Sequence, residues 1–223
     1  DKIITIFSKE QGKFSAMVKG AKNPKSIFVA STQLFCYSSF IFYTGRNLAY
    51  INQAEVINSF HKLRNDYRKL SMASYFAEVI HLAYDDYQQE ETALRMTLNL
   101  LYFLSEDLVS RDENIVISFQ LKLMNYLGQK PTFGKDAASR RWLISFDGYS
   151  DLSGEQKRNG PEYALTEEEA RDLKTLQELP LQKLKRSNVV FDRSNYIMDV
   201  LNRYMEYHLS VRSKTFFFVT DSS

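Results

Sequence analysis

Lys13, Lys19, Lys22 and Lys25 follow one another across a strand-like stretch and the loop after it, with Phe14 and Phe28 between and beside them. Lysines in such a run suit phosphate contact, because an ammonium on a flexible stem acts as a mobile point charge. Aromatics exposed among them would stack bases. Arg46, at a predicted hairpin tip, would reach the same surface. Against this stands a plainer reading, in which the phenylalanines belong to the core and the lysines only solubilise an edge. For Phe14 and Phe28 the core reading is preferred. For the lysines the binding reading is preferred, because Gly20 and Pro24 shape the loop that displays them.

Catalytic chemistry has less to draw on. His61, His81 and His208 all fall in predicted helices, and none has a second His or Cys at ligand spacing, so each is read as structural. Paired carboxylates can hold Mg²⁺. Asp85, Asp86 and Asp107 therefore keep a metal-dependent nuclease open as a third reading, although adjacent acids more often solvate a helix end. There is no Gly-rich phosphate loop, no nucleophile elbow and no HExxH. The single cysteine, Cys36, lies among Phe35, Tyr37 and Phe40 and is expected to be a buried structural thiol. No catalytic residue, metal or cofactor is expected.

The 223 residues are 44% hydrophobic and 14% aromatic, enough apolar material for a folded core in one large domain or two small ones. Net charge is only +2, but it is unevenly placed. From Asp1 to Ala54 seven Lys or Arg face two acids, whereas from Glu162 to Glu178 six acids face two bases. A local basic excess is the footprint of a polyanion-binding surface. No apolar run approaches the roughly 20 residues that span a bilayer. Nor does the start, Asp1-Lys2-Ile3-Ile4, have a signal-peptide pattern. A cytoplasmic protein is expected.

The elements that must position these residues are read from periodicity. Strands are predicted over Ile3–Phe7, Phe14–Val18 and Phe35–Tyr43, with a hairpin turn at Thr44-Gly45-Arg46-Asn47 and a return strand led by Leu48–Ile51. Short strands with regular turns suggest a small barrel or sandwich. Apolar steps of three and four then run from Phe60 to Tyr84, followed by helices near Glu91–Leu108 and Asn114–Leu127, the latter stopping at Gly128. The stretch from Gly128 to Pro161 is irregular, with Trp142–Phe146 as its apolar island and room for a short hairpin. Thr166-Glu167-Glu168-Glu169 reads as a capping box, and a last helix spans about Ser194–Leu209. The tail Arg212 to Phe218 is basic, then apolar.

The run from Gly12 to Ser26 resembles the signature of the RecO family, G-x-x-S-x-x-x-K-G-A-+-x-P-x-S, which lies there in an N-terminal OB fold. Tyr43 to Glu55 resembles the family's hairpin and its Q-A-E lead into the helical part. Leu123 to Pro131 resembles its L-N-x-L-G-x-x-P, and Tyr204 to Lys214 its Y-x-x-x-H-L followed by +-S-+. These matches lie in order over nearly the whole chain. Two departures stand out. Family members usually carry another strand before the segment where this chain begins, so the first OB strand is missing or not included. Many members also have four zinc-binding cysteines after L-G-x-x-P. Lys135 to Lys157 has none, with Asp136, Ser139 and Asp151 near where thiolates would be, so no zinc is expected.

The resemblance implies an α+β chain: an N-terminal OB-fold β-barrel over residues 1–57, then a mainly α-helical domain over 58–223 with an irregular insert at 129–161. It implies a recombination mediator that binds single- and double-stranded DNA and anneals complementary strands. Such a mediator contacts the C-terminal tail of SSB and, with RecR, helps RecA load onto SSB-coated DNA. Lys13, Lys19, Lys22, Lys25 and Arg46 would contact phosphates. Arg212 and Lys214 would extend that track or hold the SSB tail. The alternative is an adaptor that binds an acidic protein tail, with incidental DNA contact.

Overall fold

A computed structural model describes residues 1–46, 48–136, 140–146 and 162–221. Its chain divides into two units, residues 1–106 and 107–223.

The first unit opens with β1 (Lys2–Ser8) and β2 (Gly12–Val18), an antiparallel hairpin in which Ile4 pairs with Ala16 and Ile6 with Phe14. Strand period two sends Phe14, Ala16 and Val18 inward. They form a core with Ala21, Ala49 and Ile51, against which Ile4, Ile6, Phe28, Phe40 and Phe42 pack. β3 (Tyr37–Thr44) and β4 (Ala49–Asn58) form the second hairpin, with a bulge at Asn52: Ile41 pairs with Gln53 while Phe42 pairs with Ile51. A short parallel contact, Ala16 to Ala49 and Met17 to Tyr50, joins the hairpins. The resulting sheet order is β1-β2-β4-β3. Consecutive hairpins joined through a parallel contact give the Greek-key connectivity of an OB fold. Among the described residues this sheet is open, with β1 and β3 as its edges, and with the helices that follow it gives the expected α+β chain.

Three helices complete this unit: α1 (His61–Arg64), α2 (Tyr67–Ala83) and α3 (Glu91–Ser105). The periodic stretch after Ser59 is thus two helices and not one. Asp66 interrupts it, because its carboxylate accepts the Lys69 amide at 3.1 Å and caps α2. Met72, Tyr75 and Phe76 are fully buried large side chains of α2, each contributing about 2 kcal/mol by burial.

In the second unit α4 (Asp112–Tyr126) is buried on every side from Asn114 to Leu121. Such a helix must be central, and its polar side chains need internal partners. Asn114 donates to the Val189 carbonyl at 2.9 Å and Gln120 to the Met198 carbonyl at 3.0 Å. Around it stand α5 (Glu167–Glu178) and α6 (Ser194–Leu209), with a 3-10 turn at Leu181–Arg186 and a short α7 (Phe216–Thr220). The capping box forms as read: Thr166 Oγ1 accepts the Glu169 amide at 3.1 Å and Glu169 accepts the Thr166 amide at 2.8 Å. The expected short hairpin is part of a three-stranded antiparallel sheet, β5 (Thr132–Lys135), β6 (Trp142–Ser145) and β7 (Glu162–Leu165). The rest of the expected 129–161 insert, residues 137–139 and 147–161, lies outside the described residues. Ser139 and Asp151 lie there too, as does Asn47 of the hairpin turn.

Candidate nucleic-acid interface

The basic loop after β2 is ordered by its own backbone. Gly20 has φ +70°, where a side chain would be strained. Its amide donates to Asp1 Oδ1 at 2.8 Å. Three turns then follow at a three-residue step: Asn23 N to Gly20 O at 3.0 Å, Ser26 N to Asn23 O at 2.9 Å, and Val29 N to Ser26 O at 3.2 Å. Pro24 sits at the second position of the middle turn, where its fixed φ is preformed for the bend. Asn23 Oδ1 accepts the Lys25 amide at 3.0 Å, an Asx turn on the same residues.

Lys22 and Lys25 occupy the third place of the first two turns, and both are exposed, as is Lys19. In the third turn that place belongs to Phe28, which packs against the core with Ala21. Ala21 and Phe28 therefore anchor the loop while the lysines face solvent. Thr32 donates to the Phe28 carbonyl at 2.7 Å, and Arg64 of α1 holds the loop's far end through the Leu34 carbonyl at 2.8 Å. Arg46, also exposed, lies in the turn between β3 and β4. Among the described residues no ion pair involves Lys19, Lys22, Lys25 or Arg46.

Lys13 departs from the expected phosphate role. It is only 8% exposed. Its Nζ donates to the His81 carbonyl at 2.7 Å and lies 3.4 Å from Asp86 Oδ1. Its own carbonyl accepts the Tyr87 amide at 2.8 Å. The loop between α2 and α3 thus closes over this end of β2. Beside Lys13, Gly12 has φ +67° and approaches Gln88 so closely that a Cβ would lie 2.0 Å from the Gln88 carbonyl oxygen. Lys13 is a structural cation of the first unit.

Phe14 and Phe28 take the core role preferred for them. A different aromatic pair, Tyr43 and Tyr50, lies on the outer face of the sheet. The two rings stack at 5.1 Å and 11°, and Lys19 Nζ stands 5.7 Å over Tyr50. Strand alternation places both outside once the register is known, but the sequence alone does not announce that they are directly opposed.

Cys36 is half-buried rather than buried, with Sγ 3.3 Å from Ser38 Oγ. His61, His81 and His208 lie in α1, α2 and α6. Asp85 and Asp86 lie in the loop after α2, where Asp86 faces Lys13; Asp107 opens the second unit. Among the described residues no group of three or more His, Cys, Asp or Glu is placed to hold a metal ion. No helix among them is long and apolar enough to cross a membrane.

Arg212 and Lys214 belong to the second unit, in the exposed stretch between α6 and α7. Ser213 between them is fixed by its amide to Glu206 Oε1 at 3.0 Å. Arg193 and Lys122 of this unit are engaged internally. Arg193 grips Glu169 through two bonds of 2.9 and 2.6 Å. Burial alone would raise the Glu169 carboxyl, but the Arg193 and Thr166 donors outweigh it and hold its pKa below the usual value. Lys122 donates to the Leu179 carbonyl at 2.7 Å, and its pKa is lowered by burial, against the opposing charge of Glu178. Burial pushes the Tyr204 phenol up to about 12. A cleft of about 550 Å³ opens along α5 and the 3-10 turn, with Arg171, Lys183 and Arg186 around Leu179, Val189 and Val190.

Comparison with known proteins covers both units. A family model described as recombination protein O N terminal matches residues 1–60, and one described as recombination protein O C terminal matches residues 64–215. The chain is similar to the DNA repair protein RecO of Acetivibrio thermocellus, at 40% identity over 59% of this chain and 52% of that protein. It is also similar to that of Clostridium novyi, at 36% identity over 60% of this chain and 52% of that protein. With the RecO of Clostridium acetobutylicum the identity is 26%, over 92% of this chain and 84% of that protein. The match thus spans about half the length of the first two relatives and most of the third.

Proposed function

Because the chain belongs to the recombination protein O family, we propose that it is a non-catalytic, DNA-binding mediator of recombinational repair. It anneals complementary single strands and, with RecR, helps load RecA onto SSB-coated DNA in the bacterial cytoplasm, at the nucleoid. The observation that carries this reading is the loop that holds Lys19, Lys22 and Lys25 outward on an ordered backbone. Neutralising phosphates lowers the repulsion between two strands, so annealing needs no nucleophile, metal or cofactor. Phosphate contacts serve single strands and duplexes alike. Arg46 adds to the same charge, and Arg212 and Lys214 supply a second basic stretch for DNA or for the SSB tail.

The test is binding and annealing at several salt concentrations. Affinity for single strands should fall with a log–log slope of about 0.7 per phosphate contacted. Replacing Lys19, Lys22 and Lys25 together with Glu should lower affinity by about a hundredfold or more and abolish annealing, with the melting temperature unchanged. Full binding by that variant would move the interface elsewhere.

One observation favours the second reading, an adaptor for an acidic protein tail with incidental DNA contact. The cleft beside α5 is lined by Leu179, Val189 and Val190 and by Lys183 and Arg186, while its third cation, Arg171, is paired with Glu168 and Asp172 of the same lining. The two remaining cations beside apolar side chains suit a carboxylate-bearing peptide with an apolar end. Annealing of SSB-coated strands separates the two readings. An adaptor would bind an SSB-tail peptide but leave naked strands unannealed.

A further inference from the structure

The phosphate-contact reading leaves one feature of the outer sheet face unused. Tyr43 of β3 and Tyr50 of β4 are directly opposed partners across the strands. On the other flank of β4, β2 brings Met17 beside Tyr50 and Lys19 over its ring. Since β4 lies between β2 and β3, Tyr50 is flanked from both sides. Tyr43 is not. It stands on an edge strand, is 49% exposed, and stacks on no second ring among the described residues. Ile41, two residues earlier on the same face of β3, is 57% exposed and extends the apolar strip.

Cross-strand pairing accounts for the contact between the two rings. It does not account for the solvent-facing side of Tyr43, nor for the ammonium beside the pair. Together these supply what an unpaired base requires: a planar π surface held in place from behind, and a positive charge near the adjoining phosphate. A base inside a duplex already stacks on its neighbours and cannot offer its face without unstacking, which costs a few kcal/mol. The lysine loop, by contrast, meets phosphates in either form of DNA.

We infer that the exposed face of Tyr43 is a docking site for one unpaired nucleobase, buttressed by Tyr50 and Lys19, and that this site favours single strands over duplexes. The inference rests on the nucleic-acid-binding reading above. Every base has a π face, so the site selects strandedness rather than sequence.

The test compares a single-stranded oligonucleotide without self-complementarity and a duplex of equal length, using the full chain. Tyr43→Ala should weaken single-strand binding about tenfold, within the range for losing one stacked base. Duplex affinity and the salt slope should stay unchanged. Tyr43→Phe should bind as the parent does, whereas Tyr43→Leu, which keeps an apolar strand residue without a π face, should behave as Ala. Lys22→Glu should weaken both substrates and flatten the salt slope. If Tyr43→Ala and Tyr43→Leu leave the ratio of the two affinities unchanged, the stacking site is overturned while the DNA-binding reading stands. If the parent protein binds neither substrate, both fall.

Discussion

Strand β2 begins Gly12-Lys13 and, just past its end, reads Lys19-Gly20. The two ends are near mirror images in sequence and opposite in use. Both glycines take positive φ, at +67° and +70°. At the first end the chain is closed over: a Cβ on Gly12 would strike the Gln88 carbonyl, and Lys13 is held by the His81 carbonyl. At the second end a Cβ on Gly20 would meet nothing within 4 Å, and Lys19 is exposed. The difference is made by the loop between α2 and α3, which packs on one end only. A lysine's role is thus decided by what docks on its strand, and not by the strand.

The glycines give the largest expected contrast. Gly12→Ala must accommodate both the unfavourable φ and the Gln88 backbone, and should destabilise the protein by roughly 3 kcal/mol. Gly20→Ala faces the φ term alone, about 1 kcal/mol. Denaturant titrations of the two variants measure the gap, and equal losses would break the comparison. The lysines come next. Lys13→Met leaves the His81 carbonyl without its ammonium and should cost about 2 kcal/mol of stability, while DNA affinity per folded molecule stays at the parental value. The exposed Asp86 adds little to that figure. A Lys13→Met variant of full stability and weakened DNA binding would reverse the assignment of the two ends.

The smallest effect extends the contrast to the second unit, where Arg193 is engaged by Glu169 as Lys13 is by His81. The folded-state pKa of Glu169 lies below its ordinary 4.5. Its ionised form therefore contributes stability that is complete above 4.5 and is lost as the pH falls through the lower, folded value. Glu169→Gln should lower stability near neutrality by about 1 kcal/mol, discounted for the exposure of Arg193. Its melting temperature should also fall less steeply than the parent's in the acid range. Parallel pH profiles for the two proteins would remove the pair from the account.

Most elements were legible because their causes are local. Phe14, Ala16 and Val18 alternate as a half-buried strand must, and Thr166 and Glu169 satisfy each other across three residues. Asp66 was legible only as a polar residue in a periodic run. That it caps a second helix depends on its competing for the Lys69 amide. The site divides in the same way. The exposed lysines of the turns follow from Asn23, Pro24 and Gly20, all within the loop. The burial of Lys13 is not local, because its partner His81 lies 68 residues away. The stacking of Tyr43 on Tyr50 depends on the register in which Thr44 pairs with Ala49, which composition does not reveal.

The three successive turns after β2 also have a kinetic meaning. Their hydrogen bonds, with Pro24 and the anchors Ala21 and Phe28, order the backbone before any polyanion arrives. The ammonium groups of Lys19, Lys22 and Lys25 therefore present a standing field, and no segment has to fold as the complex forms. Association with such a loop is governed by encounter. On the DNA-binding reading proposed above, added salt should therefore act first on how quickly strands are captured.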